Sequence, residues 1–267
     1  MMIFRHFFTN PIRKILNNEG FVPIFRSIGV IGDSLSSGEH ESLNEKNEKG
    51  FHDYYEYSWG QFLARKCGNK VINFSRGGLR CDTFFQYIEN HNPFIEENRC
   101  QAYIIALGLN DMAHLSLAYK DGFGSFDDVD YLNEDNNKNS FIGQYYRIIQ
   151  KLRKFAPKCR IFLMSVPMET CHSKQQKELF DKLRKMQIQM VKNNEFIYLI
   201  DLRKYAPIYG KKIKQKYFLG GHMSAMGYKF TSDMVITYID YYIRKNIDDF
   251  KQVGFIGQDV YNIKGKW

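Results

Sequence analysis

Proline is scarce in this chain, six residues in 267, and no Pro/Gly-rich linker, internal repeat or low-complexity tract divides it. The five cysteines, Cys67, Cys81, Cys100, Cys159 and Cys171, are odd in number and include no C-x-x-C pair. No Cys/His spacing resembles a zinc site either, which excludes a disulfide framework and a zinc module and fits a reducing, cytoplasmic setting. No apolar run is long enough to span a bilayer, so no integral membrane segment is expected. The apolar start is interrupted by Arg5, His6 and Asn10-Pro11 and lacks the cleavage site of a signal peptide. The net charge of +9 comes from Lys and Arg spread along the chain. Its densest stretch, Arg203-Lys204 through Lys216, has no nucleic-acid module beside it, so nucleic acid is excluded as a partner. The acid-rich segment 112–138 lacks the Asp-x-Asp-x-Asp-Gly order of an EF-hand and reads as a solvated loop, with no metal implied.

What is present is an alternation of short apolar runs and amphipathic stretches. Strands are expected at 27–32, 71–74, 102–107, 160–166 and 196–201, and helices at 59–67, 82–89, 141–155, 174–193 and 224–245. The segment 38–54, with Glu-Lys-Asn-Glu-Lys-Gly at 45–50, reads as a polar loop facing water. Five strands alternating with helices make one doubly wound α/β domain, a three-layer α/β/α sandwich around a flavodoxin-like parallel sheet of order 2-1-3-4-5. It is expected to cover 27–249. An N-terminal extension, 1–26, with a helix near 11–18, precedes it, and a tail, 250–267, packs on the same domain.

Three strand ends carry unusual polar turns: Gly32-Asp33-Ser34-Leu35 after the first, Gly77-Gly78 after the second, and Gly108-Leu109-Asn110-Asp111 after the third. In the expected strand order these turns are neighbours at the switch point, where open α/β sheets bind ligands. Ser34 can supply a nucleophilic oxygen. The Ser34 and Gly78 N–H groups and the Asn110 side chain can supply donors for an oxyanion. A serine nucleophile needs a base, and His222, in a Gly-rich turn before the last helix, is the best placed of the seven histidines.

With these four blocks in order, the chain resembles the SGNH (GDSL-type) hydrolases. The resemblance implies Ser34 as nucleophile, Asn73 and Gly78 as the second block with Gly78 in the oxyanion hole, Asn110 as its side-chain donor, and His222 as base. It implies ester hydrolysis through an acyl-enzyme without metal or organic cofactor. The order Ser first, His last, with no G-x-S-x-G elbow, argues against an α/β-hydrolase. One block departs from the family. Where Asp-x-x-His is usual, the chain reads Leu219-Gly220-Gly221-His222. The expectation is therefore a Ser–His dyad in which a backbone carbonyl accepts from the imidazole; Glu39, Asp53, Asp111, Glu169 and Asp201 are the acids weighed as substitutes.

The substrate reading is a small-molecule or glycan ester carrying a short acyl group, an acetyl ester of a carbohydrate or similar alcohol. The alternatives are a lipase or thioesterase, or a catalytically weak member that only binds an ester or glycan. Phe51, Tyr54, Tyr55, Tyr57 and Trp59 either wall the pocket or pack in the core, and packing is the expected role for most of them.

Overall fold

The computed structural model describes residues 18–89 and 91–257. The helix expected near 11–18 and most of the tail lie outside the described residues. The strands are β1 (Ser27–Gly32), β2 (Glu39–Leu43), β3 (Lys49–Asp53), β4 (Lys70–Asn73), β5 (Ala102–Ala106), β6 (Arg160–Met164), β7 (Ile197–Ile200), β8 (Phe218–Leu219) and β9 (His222–Met223). The central sheet has five strands in the order β4-β1-β5-β6-β7, all parallel, which is the 2-1-3-4-5 order expected.

Its strands read as continuous apolar runs because both faces are covered. Successive side chains point to opposite faces, so Ile31, Tyr103 and Ile105 enter one core and Ile28, Val30 and Ile104 the other. The first core is closed by three helices: α3 (Cys81–Tyr87), α6 (Phe141–Phe155) and α7 (Lys174–Asn193). The second is closed by α2 (Trp59–Cys67) and α10 (Ala225–Lys245). Between them in the chain lie four short helices, α4 (Leu109–Ala113), α5 (Leu115–Ala118), α8 (Leu202–Tyr205) and α9 (Lys211–Tyr217), while α1 (Ser34–Ser37) follows β1 directly.

The long helices start and stop where their side chains dictate. Ser58 caps α2 by accepting from Gln61 N–H, and Gly68, in the left-handed region, ends it. Within α2, Trp59, Leu63 and Cys67 fall at i, i+4 and i+8 and are all buried. Ser140 caps α6, and Ser173 with Gln176 forms a capping box on α7. Val22 and Phe25, before β1, and Val253 and Ile256, beyond α10, are buried in the second core.

Two expectations change. The segment 112–138 is not a free loop, since Tyr119, Phe123 and Val129 are buried in the first core. The segment 38–54 is not a loop: it holds the antiparallel hairpin β2–β3, with Glu39 paired to Asp53 and Leu43 to Lys49, while the charges at 45–49 face water as expected. The Asn44 side chain closes its turn, accepting from Lys46 and Glu48 N–H at 2.9 Å each. With no apolar face of its own, the hairpin has none of the alternation that marks a half-buried strand.

Candidate active site

The first strand ends in a turn that its own polar groups hold shut. Asp33 caps α1, its side chain accepting from Leu35 N–H at 3.0 Å, so the hydroxyl of Ser34 begins a helix at the carboxyl edge of the sheet. The turn after β4 is pinned beside it, with Ser75 Oγ donating to the Val30 carbonyl at 3.1 Å and Arg76 N–H to Gly32 at 3.3 Å. Gly78 follows at φ +70°, a conformation glycine adopts without strain. Asn110, in the first turn of α4, donates its amide to the carbonyl of Leu79 at 3.4 Å, which brings the third turn against the second. The three turns thus adjoin along β4, β1 and β5, as the sequence implies.

His222 arrives from the far end of the chain. Its Nε2 is 3.0 Å from Ser34 Oγ. Its Nδ1 is 2.9 Å from Glu41 Oε1. The same carboxylate oxygen accepts from the N–H groups of Gly221 at 2.6 Å and His222 at 3.1 Å, while its partner oxygen meets Lys49 Nζ at 3.2 Å. Burial pushes the Glu41 carboxyl up, but the hydrogen bonds from His222, Lys49 and Gly221 outweigh it and hold the group below the ordinary carboxylate range. An ionised carboxylate on Nδ1 keeps the proton there and leaves the Nε2 lone pair facing the serine.

In this geometry the acceptor at Nδ1 is a carboxylate, where the expected dyad has a backbone carbonyl. Of the acids weighed, Asp53 accepts from Ser37 Oγ at 2.7 Å. Asp111 is buried against Cys81 N–H and the Tyr119 hydroxyl. Asp201 is gripped by Arg184 at 2.6 Å, and Glu169 by Lys214 at 2.5 Å. Glu39 does reach the imidazole, but at Nε2, 3.0 Å from its Oε1. The residue on Nδ1 is Glu41, which sequence reasoning missed. A signal for it existed beside the histidine. A Cβ at position 221 would lie 2.8 Å from Glu41 Oε1, and one at 220 would collide with Oε2. The Gly-Gly pair replaces the middle of the Asp-x-x-His block and makes room for an acid from elsewhere.

Glu39 and Glu41, two residues apart on β2, project from the same face of the hairpin toward His222. His40, between them, packs its ring against Tyr54, Tyr57 and Tyr228 instead. Phe51, more than half exposed on β3, places its ring edge-on to His222 with centroids 5.7 Å apart. Trp59 and Tyr55 take the packing role: Trp59 is buried and donates to Ser36 Oγ at 3.3 Å, and Tyr55 donates to the Val71 carbonyl at 3.0 Å. Away from this edge, Glu169, Cys171 and His172 bring ligand-type atoms within 4.8 Å of one another. The ammonium of Lys214, 2.5 Å from Glu169 and 3.7 Å from Cys171, already supplies the cation there.

Asp33 carries a stability prediction. Burial drives its carboxyl up to about 7, against the opposing hydrogen bond from Leu35 N–H, with Asp111 adding repulsion. A carboxyl raised on folding contributes stability that is fully present below its unfolded pKa and is lost as pH rises through the folded value. Relative to wild type, Asp33→Asn should therefore raise Tm more at about pH 8 than at about pH 5. Thermal melts at the two pH values check this; an equal shift at both rejects it.

The family model described as the GDSL-like lipase/acylhydrolase family matches residues 30–230. No curated protein is similar enough to count as a match. Among solved structures, the chain is similar to a possible lipase from Chitinophaga pinensis (17% identity, 82% of this chain and 98% of that one, TM-score 0.53). It is also similar to the lipase/acylhydrolase from Enterococcus faecalis (16%, 80% and 95%, TM-score 0.51). A family two carbohydrate esterase from Clostridium thermocellum, in complex with cellohexaose, shares 14% identity over 84% of this chain and 65% of that one, with TM-score 0.52. At these identities the likeness is one of fold. Among the described residues, no helix is long and apolar enough to cross a membrane.

Proposed function

The chain belongs to the GDSL-like lipase/acylhydrolase family and is a carboxylic-ester hydrolase, and on that premise we propose that it works through a Ser34–His222–Glu41 triad on short acyl esters. The observation that carries this reading is the imidazole of His222, held between Ser34 Oγ at 3.0 Å and Glu41 at 2.9 Å. Ser34 Oγ attacks the ester carbonyl while its proton passes to Nε2. The carbonyl oxygen becomes an oxyanion that accepts from the N–H groups of Ser34 and Gly78 and from the amide of Asn110. Each aligned donor of this kind is worth about 3 kcal/mol. The imidazolium, steadied by Glu41, then protonates the leaving alcohol as the C–O bond breaks. Water attacks the acyl-enzyme by the same route in reverse, giving the free acid and restoring Ser34.

A carboxylate on His222 Nδ1 supports a working enzyme over a protein that only binds its ligand, even with Leu219 at the family's aspartate position. A carbohydrate acetyl ester is the leading substrate. The exposed rings of Phe51, Tyr54 and Tyr57 offer flat apolar faces of the kind sugars stack on. The carbohydrate esterase among the structures of similar fold makes a sugar acetate the natural first compound to try. A fluorophosphonate probe should add its mass to Ser34, and nitrophenyl acetate should be cleaved faster than the palmitate ester. Folded protein that takes up no probe and cleaves neither ester contradicts the triad, and a preference for palmitate contradicts the short acyl group.

A further inference from the structure

Glu39 has no place in the triad, yet its carboxylate lies at the centre of the site. Oε1 is 3.0 Å from His222 Nε2, the nitrogen that also meets Ser34. Oε2 reaches toward the oxyanion turn, where a Cβ on Gly77 would be 2.6 Å from it. Among the described residues this second oxygen receives no hydrogen bond. The charges acting on Glu39 besides His222 are the carboxylates of Asp53 and Glu41, and Lys49 is engaged by Glu41. Partial burial and the neighbouring carboxylates of Asp53 and Glu41 push the group above the ordinary carboxylate range, and only a protonated His222 pulls it back.

The position of this carboxylate bears on chemistry. In the proposed reaction the leaving alcohol must approach Nε2 and negative charge must develop beside Gly78; Glu39 meets the first at Oε1 and borders Gly77, the residue before the second, at Oε2. An uncompensated anion there opposes the oxyanion of any neutral ester. A substrate with its own positive charge at that point cancels the opposition and pairs the free oxygen. We propose that Glu39 is a specificity-determining residue that selects esters whose alcohol half carries an ammonium group, whether on a sugar ring or a small amino alcohol. The inference rests on the esterase reading and narrows its substrate class.

The test compares kcat/KM for the acetate ester of choline with that for its uncharged isostere, in which carbon replaces the quaternary nitrogen. Wild type should prefer the cationic ester by about tenfold. Glu39→Gln, which keeps the shape and removes the charge, should bring the ratio close to one, chiefly by slowing the cationic ester and speeding the neutral one. Taking the ratio within each protein cancels whatever the substitution does to His222 or to folding. Equal rates in wild type, cleavage of nitrophenyl acetate with neither member of the pair accepted, or a preference that survives in Glu39→Gln overturns the inference and leaves the esterase reading standing. Failure of wild type to cleave any ester, nitrophenyl acetate included, brings down both.

Discussion

Ser34→Ala should abolish ester hydrolysis, with a loss of about a millionfold in kcat, the scale on which removal of a triad serine is felt elsewhere. The size follows from what remains. Without Oγ no covalent intermediate forms, and the oxyanion donors can assist only a direct attack by water. His222→Ala should cost nearly as much, because a serine hydroxyl with no base at 3.0 Å is a weak nucleophile at neutral pH. The double variant should be hardly worse than either single one, since two groups that act as a unit are not additive. The fold should survive in each case. Ser34 is held in α1 through the Asp33 cap and its own carbonyl, which accepts from Gly38 N–H, and alanine keeps both. Intact-mass labelling by the fluorophosphonate, steady-state rates and circular dichroism together check this. A folded Ser34→Ala protein retaining about a hundredth of wild-type activity would mean that the nucleophile is elsewhere.

The sheet and its order were legible because its strands are buried on both faces. Val30-Ile31 in β1 and Tyr103-Ile104-Ile105 in β5 leave no polar position that another arrangement could expose. The helices were legible from their apolar spacing, as with Trp59, Leu63 and Cys67 along one face of α2. The placement of Ser34, Gly78 and Asn110 along one sheet edge was legible for a related reason: each lies in the turn after a sheet strand, so fixing the strands fixed the turns, whereas His222 comes from the Gly-rich turn before the last helix. The hairpin was not. Glu39-His40-Glu41 looks like solvated chain because its burial comes from His222, 181 residues further on at its contact with Glu41, and no local pattern encodes a contact at that range. Local hydrophobic periodicity registers a strand that faces a core; this strand faces an active site, and its inward residues are carboxylates. Hence Glu41 is absent from the acids that the sequence offers as substitutes for Leu219, although Glu39, two residues before it, is among them.

Glu41→Gln should lower kcat by about a thousandfold or more, the scale set by removing the anion while keeping the shape of a triad acid. Glutamine still offers a carbonyl oxygen to the N–H groups of Gly221 and His222, so the turn that carries the histidine should hold. What it cannot offer is a negative charge beside the imidazolium, and an amide that turns its N–H₂ toward Nδ1 selects the wrong tautomer. The loss should appear in kcat with little change in KM, because the imidazolium exists only once the reaction is under way. The pH dependence gives the charge a separate signature. Glu41 is held ionised to unusually low pH by His222, Lys49 and Gly221, against the upward push of burial. The ratio of wild-type to variant activity should therefore stay flat through neutrality and narrow only at a pH below the ordinary carboxylate range, where the carboxyl takes up its proton. A dyad sustained by a backbone carbonyl predicts something else: a loss of a few-fold at most, without that pH dependence. The same substitution thus separates a triad whose acid has moved to the hairpin from a histidine that works without one.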